Sequence, residues 1–306
     1  MRVGMASPMK RISRRDLLKS VPLGGLALLL DGPGALRCAR QVIATATPLQ
    51  TDTESIDPIA DEGAHHRSEH DPLNKTRDFD RTYADDYLLA ESRLELLAAT
   101  ADKLERAVQV IGHGHFNLVS FDDLLRYALR YDEIGAFSRA ELQFLDEIFH
   151  TDADLYGFHG RKVLLEQTTR FDERDVERIA STGHYLLRGD PLERYKRIRR
   201  DLGENVFLTS GVRGVVKQYQ LFLSKAVTTG GNLSQASRSL APPGYSYHAI
   251  GDFDVGRVGF GLKNFTADFA DTPEYRRLID LGYVDIRYTE TNPFGVRHEP
   301  WHIKIA

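Results

Sequence analysis

Residues 246–254 read SYHAIGDFD, and residues 299–302, close to the C-terminus, read EPWH. Between them the two stretches hold two histidines, two aspartates and one glutamate. Imidazole nitrogens and carboxylate oxygens are ligands that zinc accepts, and a catalytic zinc site uses three of them and leaves one position for water. Hydrolysis also needs a carboxylate beside that water. The two stretches therefore contain enough groups for a metal site with a separate general base.

A third stretch, SGVR at residues 210–213, lies upstream of these two. The ordered combination of Ser-Gly-x-Arg, Ser-x-His-x-x-Gly followed by an aspartate, and Glu-x-x-His resembles the VanY-type D-alanyl-D-alanine carboxypeptidases. The resemblance covers about residues 191–306. It implies the small zinc-peptidase fold of the hedgehog and D-Ala-D-Ala peptidase superfamily. Short strand-like runs between Gly, Pro and Asn clusters also predict an α+β unit with a mainly antiparallel sheet over residues 190–306.

The resemblance implies a metal site and a base. One zinc ion per chain would be bound by His248, Asp254 and His302. Glu299 would be the general base, taking a proton from the water that zinc activates and returning it to the leaving amine.

The resemblance further implies three residues that act on the substrate. Arg213, the arginine of SGVR, would bind a substrate carboxylate or polarise the scissile carbonyl through its fixed fork of donors, and so is both a catalytic and a substrate-binding candidate. Gln218, five residues later, and Ser246 are supporting substrate-binding candidates.

The spacing leaves two aspartates as candidates for the third metal ligand. The usual family spacing puts six residues between histidine and aspartate, whereas five separate His248 from Asp254 and three separate it from Asp252. We assign Asp254 because FDV best matches the family's strand, and Gly251 can absorb the missing residue by altering the turn. Asp252 remains an alternative, because the side chains of residues two apart in a strand point to the same face of the sheet.

Two further histidines are predicted not to bind metal. His298 lies four residues before His302, as in helical zinc motifs, but Pro300 and the alternation of residues 301–305 favour a strand. His184 is predicted to be a hydrogen-bonded turn residue.

Hydrophobic periodicity divides the rest of the chain. Apolar residues recur at spacings of three and four in residues 82–189, which predicts an all-helical region. Ser120 and Ser138 are predicted helix starts, the second with a capping box. Residues 47–81 are polar and contain several prolines, which predicts a flexible linker. The helical region matches no motif of known mechanism, and a docking surface for a partner is one alternative role.

The N-terminus resembles a twin-arginine export signal: residues 13–19 read SRRDLLK, and a short apolar block follows. Small residues at 44–46 suit cleavage, so residues 1–46 are the expected signal peptide and the mature protein is expected in the periplasm or otherwise exported. The single cysteine, Cys38, lies in this segment, so the mature chain is expected to have neither disulfide nor thiol chemistry.

Charge and hydropathy exclude two classes of partner. Residues 1–46 carry eight basic and two acidic side chains, so without them the formal net charge moves from −4 to −10. That charge argues against binding nucleic acid or another polyanion. No later apolar run approaches the roughly 20 residues of a membrane-spanning helix, so no integral membrane segment is expected in the mature chain.

The resemblance to the VanY-type family implies a zinc metallopeptidase of the D-alanyl-D-alanine carboxypeptidase type, acting on peptidoglycan stem peptides. One alternative is an endopeptidase that cuts cross-links. Another is a zinc-containing module that binds wall peptides without cleaving them, and Glu299 in its full Glu-x-x-His context argues for the enzyme. The sequence identifies no protein partner.

Overall fold

The computed structural model describes residues 72–306. The expected signal peptide and residues 47–71 of the expected linker lie outside the described residues. The described part combines α-helices with antiparallel strands, which confirms the predicted α+β class. Within residues 72–306 no helix is both long and apolar enough to cross a membrane.

The α-helices are α1 (Pro72–Arg77), α2 (Leu94–Ile111), α3 (His113–Phe116), α4 (Phe121–Arg130), α5 (Arg139–His150), α6 (Asp190–Leu202), α7 (Val215–Thr228), α8 (Leu233–Ser237) and α9 (Pro273–Asp280). The strands are β1 (Val176–Arg178), β2 (Tyr185–Leu187), β3 (Val206–Ser210), β4 (Phe253–Arg257), β5 (Asp285–Ile286) and β6 (His302–Lys304).

The two serines expected at helix starts are N-caps. The Ser120 side chain accepts a hydrogen bond from the backbone N–H of Asp123 at the start of α4. Ser138 and Glu141 form the capping box that begins α5. Each cap satisfies backbone N–H groups that the helix leaves without a partner, which fixes where the helix begins.

Helix α7 packs against α2 and belongs to the larger of the hydrophobic cores. Leu104 and Val108 of α2 and Tyr219 and Phe222 of α7 are almost wholly buried there. The Tyr219 hydroxyl also donates to the carbonyl of Leu145 in α5, at 2.6 Å. This core therefore includes helices from both sides of the boundary expected at 189/190.

The main sheet has four antiparallel strands in the order β3-β4-β6-β5. Its apolar side chains, with those of α6, form a second core that includes Phe253, Val255 and Ile303. A register shift in β3 pairs Ser210 with Asp254. The region before the sheet is helical except for one antiparallel hairpin, β1 with β2, whose three-residue strands are too short to give a clear alternating pattern.

The segment just before residue 82 is held in place. Residues 72–77 form α1, with a proline at its first position, where no N–H is needed. The guanidinium of Arg238 donates to the carbonyls of Phe79 (3.1 Å) and Arg81 (2.7 Å), and it pairs with buried Asp86 at 2.8 Å. Residues 72–81, expected as the end of the linker, are therefore ordered by polar contacts that hydropathy does not detect.

Candidate metal centre and active site

Strand pairing brings three of the predicted residues together. His248 lies in the 3-10 turn Tyr247–Ile250, Asp254 is the second residue of β4, and His302 is the first of β6. The β4–β6 pairing places Asp254 directly opposite His302. All three side chains are buried, and one ligand atom from each lies within 4.8 Å of the others. His248 Nε2 is 3.3 Å from Asp254 Oδ2, and His302 Nδ1 is 3.1 Å from Asp254 Oδ1.

The other nitrogen of each imidazole ring is bound from outside the cluster. His248 Nδ1 lies 2.8 Å from the carbonyl oxygen of Gly211, which can only accept, so this nitrogen carries the hydrogen and Nε2 has a free lone pair. His302 Nε2 lies 3.0 Å from Asp252 Oδ2. Outer hydrogen bonds of this kind fix the orientation of metal-binding histidines.

Asp252 itself does not join the cluster. Its carboxylate pairs with the buried guanidinium of Arg287 and accepts from the backbone N–H of Ile305 at 2.8 Å. Gly251, which precedes it, has φ 124°, and a Cβ there would lie 2.9 Å from Cγ of Pro191. Only glycine fits this turn easily, and it separates the histidine from the strand that carries Asp254.

The charges of the cluster suit a bound cation. Burial opposes ionisation of Asp254, but His248 and His302 beside it hold the pKa of this carboxyl well below its usual range. Its Oδ1 is buried and lacks an aligned hydrogen bond, despite the short distance to His302. Burial lowers the pKa of His248, so its ring is neutral, the form that binds metal. A buried carboxylate oxygen without a donor, next to imidazole nitrogens, fits a metal ion such as zinc.

Nearby carboxylates also favour the protonated form of His302. Burial disfavours its charged form, yet the hydrogen bond to Asp252 and the negative charge of Asp254 raise the pKa of His302 to about 9. The two carboxylates thus favour a positive charge at this point, whether it is a proton or a metal ion.

Glu299 lies beside the cluster without joining it. A turn closed by the hydrogen bond from His302 N–H to the Glu299 carbonyl, at 3.1 Å, keeps the two residues close. Glu299 Oε2 is 3.7 Å from His302 Nδ1, and Oε1 is 3.7 Å from Nε of Arg297. Burial raises the pKa of the Glu299 carboxyl to about 7. A carboxyl with this pKa can both accept and release a proton near neutral pH.

Arg213 extends from the loop between β3 and α7 toward the same centre. Its guanidinium donates to Ser210 Oγ at 2.9 Å and to Gln218 Oε1 at 3.4 Å, and it lies 3.6 Å from Asp254 Oδ2. Gln218 is almost fully buried and does not line the cleft, so its contact is with Arg213 and with the carbonyl of Ala241.

These side chains face one cleft of about 590 Å³. Ser246, Arg213, Glu299 and the three clustered residues all line it. His298 does not; its Nδ1 lies 3.9 Å from Glu290 Oε1.

The cleft also has a wall that the motifs did not reveal. Phe79, Asp80, Asn117 and His184 line it, and all four precede residue 190. Lys217 of α7 lines it as well. No sequence signal marks these residues, because they reach the cleft only through packing between distant segments.

Comparison with known proteins identifies a family for part of the chain. Residues 191–305 match the family model of VanY, described as D-alanyl-D-alanine carboxypeptidase. No curated protein matches the chain.

Three solved structures are similar to part of the chain. The LdcB LD-carboxypeptidase, studied for peptidoglycan recognition, is 22% identical, covers 44% of this chain and 69% of its own, and has a TM-score of 0.36. A mutant of the vancomycin resistance D,D-pentapeptidase VanY in complex with zinc is 23% identical, with coverages of 42% and 76% and a TM-score of 0.32. VanYB in complex with D-alanine-D-alanine is 22% identical, with coverages of 47% and 82% and a TM-score of 0.34.

At these identities and TM-scores the assignment depends on the sequence match and not on the structural likeness. The match begins one residue after the start of α6 and ends within two residues of the C-terminus, so it leaves out the helical region. Residues 191–305 are therefore similar to the VanY family of D-alanyl-D-alanine carboxypeptidases, the family that the three sequence motifs predicted.

Proposed function

We propose that the protein is a zinc-dependent D-alanyl-D-alanine carboxypeptidase that hydrolyses the terminal peptide bond of peptidoglycan stem peptides. The observation that carries the proposal is the buried cluster of His248, Asp254 and His302 with a separate carboxylate, Glu299, 3.7 Å from one of its nitrogens. Three N and O donors plus an adjacent base are the parts of a hydrolytic zinc site.

In this proposal His248, Asp254 and His302 hold one zinc ion per chain. Bound zinc supplies Lewis acidity, which lowers the pKa of water to about 7 and polarises a carbonyl group. The buried Oδ1 of Asp254 has no aligned hydrogen bond although it lies 3.1 Å from His302 Nδ1, which supports the place of Asp254 in the ligand set. The contacts of Asp252 with Arg287 and with the outer nitrogen of His302 support an orienting role for this second aspartate instead.

Glu299 is the proposed general base. It takes a proton from the attacking water and passes it to the amine that leaves as the peptide bond breaks. Arg213 is proposed to donate hydrogen bonds to the carbonyl oxygen as negative charge develops there. Ser210 and Gln218 hold its guanidinium in position, so this donor is oriented before substrate arrives. Ser246, on the cleft wall, is proposed to contact the substrate.

The proposed organisation places the peptidase domain at residues 190–306 and an accessory helical region at residues 82–189. Residues 1–46, which resemble a twin-arginine signal, support export to the periplasm as the place of action. Of the linker expected at residues 47–81, residues 47–71 are proposed to connect the signal peptide with the part of the chain that the structure describes.

The direct test is mass spectrometry of a pentapeptide muropeptide after incubation with the zinc-loaded mature protein. We expect loss of one D-alanine, and no loss after chelation. Glu299→Gln should lower the rate by about 10²–10⁴, the usual contribution of a general base, while its zinc content stays unchanged. Glu290→Gln is the matched control, since that side chain is 79% exposed and lies outside the cleft.

Other outcomes would redirect the assignment. Cleavage of cross-linked dimers without cleavage of monomeric stems would show an endopeptidase. Zinc binding and peptide binding without any cleavage would show a binding module. Full turnover by Glu299→Gln would refute the proposed base.

A further inference from the structure

Lys217 lies in the first turn of helix α7, and Arg213 lies four residues earlier, in the loop before that helix. Both side chains line the cleft. Arg213 is next to the metal cluster, 3.6 Å from Asp254 Oδ2. Its positive charge acts on Lys217, so the two cations are close to each other on the cleft wall.

Among residues 72–306 no carboxylate forms a direct ion pair with the Lys217 ammonium group; Glu105 acts on it only from a distance, with the Gln220 amide between them. Its Nζ donates to the neutral amide oxygen of Gln220 at 2.7 Å and lies 6.0 Å from the ring centre of Phe116. Lys225, two turns further along α7, shows the contrast, since its Nζ pairs with Asp80 Oδ1 at 3.2 Å.

Burial and the nearby guanidinium of Arg213 lower the pKa of Lys217 to about 8. The group is still mostly protonated at pH 7, so the fold retains a partly buried cation close to a second cation. Such an arrangement is unfavourable without an anion, and a negative group that enters the cleft would relieve it.

The other walls at this end of the cleft come from the region before residue 190. Asn117 and His184 line the cleft there. Burial and the positive charge of Lys217 lower the pKa of His184 to about 4, so its ring is a neutral hydrogen-bonding group at pH 7. Two backbone hydrogen bonds tie this region to the Arg213 loop: Gly214 N–H to the Asn117 carbonyl at 2.8 Å, and Val212 N–H to the Tyr185 carbonyl at 2.7 Å.

We propose that Lys217, with His184 on the same part of the cleft, forms a subsite that binds a carboxylate of the peptide substrate. Asn117 lines the wall beside it, but its amide N–H groups already donate to the carbonyls of His113 and Gly114. This inference depends on the proposed function, because it needs a peptide in the cleft. A peptide offers a carboxylate at its C-terminus or on an acidic side chain. The subsite gives the region before residue 190 a role in substrate selection, since His184 lies outside the part of the chain that matches the family.

The test is calorimetric titration with three synthetic tetrapeptides that end in D-Ala-D-Ala and carry one acidic side chain. One is unmodified, one is amidated at the C-terminus, and one is amidated at the side chain. Titrations use zinc-loaded protein in the Glu299→Gln background, so that no peptide is consumed. Lys217→Met is the test variant, because methionine keeps the apolar stem and removes the charge. Lys196→Met is the matched control, because Lys196 lies on α6 outside the cleft and its Nζ pairs with Glu193 at 3.2 Å.

We expect Lys217→Met to weaken binding of the unmodified peptide by roughly ten- to a hundredfold, the range for loss of a charge-assisted hydrogen bond. The peptide whose subsite carboxylate is amidated should bind the parent and Lys217→Met equally. Whether this is the C-terminal amide or the side-chain amide shows which carboxylate occupies the subsite. Lys196→Met, outside the cleft, should bind all three peptides as the parent does. No weakening, or equal weakening for all three peptides, would overturn the proposal.

Thermal unfolding distinguishes a binding role from a structural one. Loss of an unpaired, partly buried charge should leave the Tm unchanged or raise it, whereas a fall of several degrees would mark Lys217 as structural and overturn the subsite. The titration measures peptide binding and needs no cleavage, so it tests the subsite even if the protein proves not to be a peptidase. If the muropeptide assay shows cleavage but the titration shows no effect of Lys217→Met, the subsite is refuted and the proposed function stands.

Discussion

Asparagine substitutions at Asp252 and Asp254 should have different effects on metal binding. Asp254 presents a buried oxygen without an aligned donor to the two imidazoles, so the proposed zinc ion would lose a charged ligand in Asp254→Asn. Asp252 Oδ2 lies 3.0 Å from His302 Nε2, the ring nitrogen that faces away from the cluster. Asp252→Asn should therefore keep all three metal ligands but orient the His302 ring less firmly.

The magnitudes follow from these contacts. Loss of an outer hydrogen-bond partner typically lowers metal affinity by about 10–100-fold, which is about 1.4–2.8 kcal/mol. Asp254→Asn should cost more than about a hundredfold. Asp252→Asn should also destabilise the metal-free fold, because it leaves the guanidinium of Arg287 buried without its counter-ion. Breaking a buried pair in this way costs about 3–5 kcal/mol, and the remaining amide oxygen favours the lower end.

Two measurements on each purified variant test this prediction. Competition between the protein and a fluorescent zinc chelator gives the affinity, and urea unfolding of the metal-free protein gives the stability. If Asp252→Asn abolished zinc binding while Asp254→Asn stayed within tenfold of the parent, the assignment of the third ligand would be refuted and would move to Asp252.

Three further predictions test the base, the shared core and the turn. Because burial raises the pKa of Glu299 to about 7 and only the ionised carboxylate accepts a proton, kcat/KM should fall about tenfold per pH unit below 7; a rate independent of pH from 5 to 7 would contradict this. Residues 190–306 expressed alone should aggregate, because the apolar side chains of α7 that pack on α2 become exposed; a monomer that unfolds cooperatively, seen by gel filtration and circular dichroism, would refute the shared core. Gly251→Ala should lower the free energy of unfolding by about 1–3 kcal/mol in urea, since φ is 124° and the new Cβ would lie 2.9 Å from Pro191, and Gly203→Ala, with open space at its Cβ, should lose less.

The grouping of the site residues could be predicted because its chemistry lies in short stretches of sequence. The family motifs named His248, Asp254, His302 and Glu299, and the structure brings these four side chains together. Strand alternation could not choose between the two aspartates, but alternation applies only inside a strand. Strand β4 begins at residue 253, so Asp252 belongs to the preceding turn, and its carboxylate meets Arg287 instead.

The accessory part of the fold could be predicted only as helical. Periodic apolar residues show that a helix has a buried face, but they do not show which helix covers it. The contact of α2 with α7 is of this kind. The order in residues 72–81 escaped prediction for another reason: it depends on carbonyl groups that bind Arg238, and every residue has a carbonyl.

Helix α7 links the accessory region to the chemistry. Its middle is buried among the side chains of α2, α4 and α5, while its first turn carries Lys217 and directly follows the loop that carries Arg213. Close packing in the middle of the helix fixes where Lys217 stands in the cleft and where the loop that carries Arg213 ends. The helical region thus acts on the site twice, by contributing Asn117 and His184 to the cleft wall and by fixing α7. A change in the packing between α2 and α7 should therefore alter peptide affinity even though it touches no residue of the cleft.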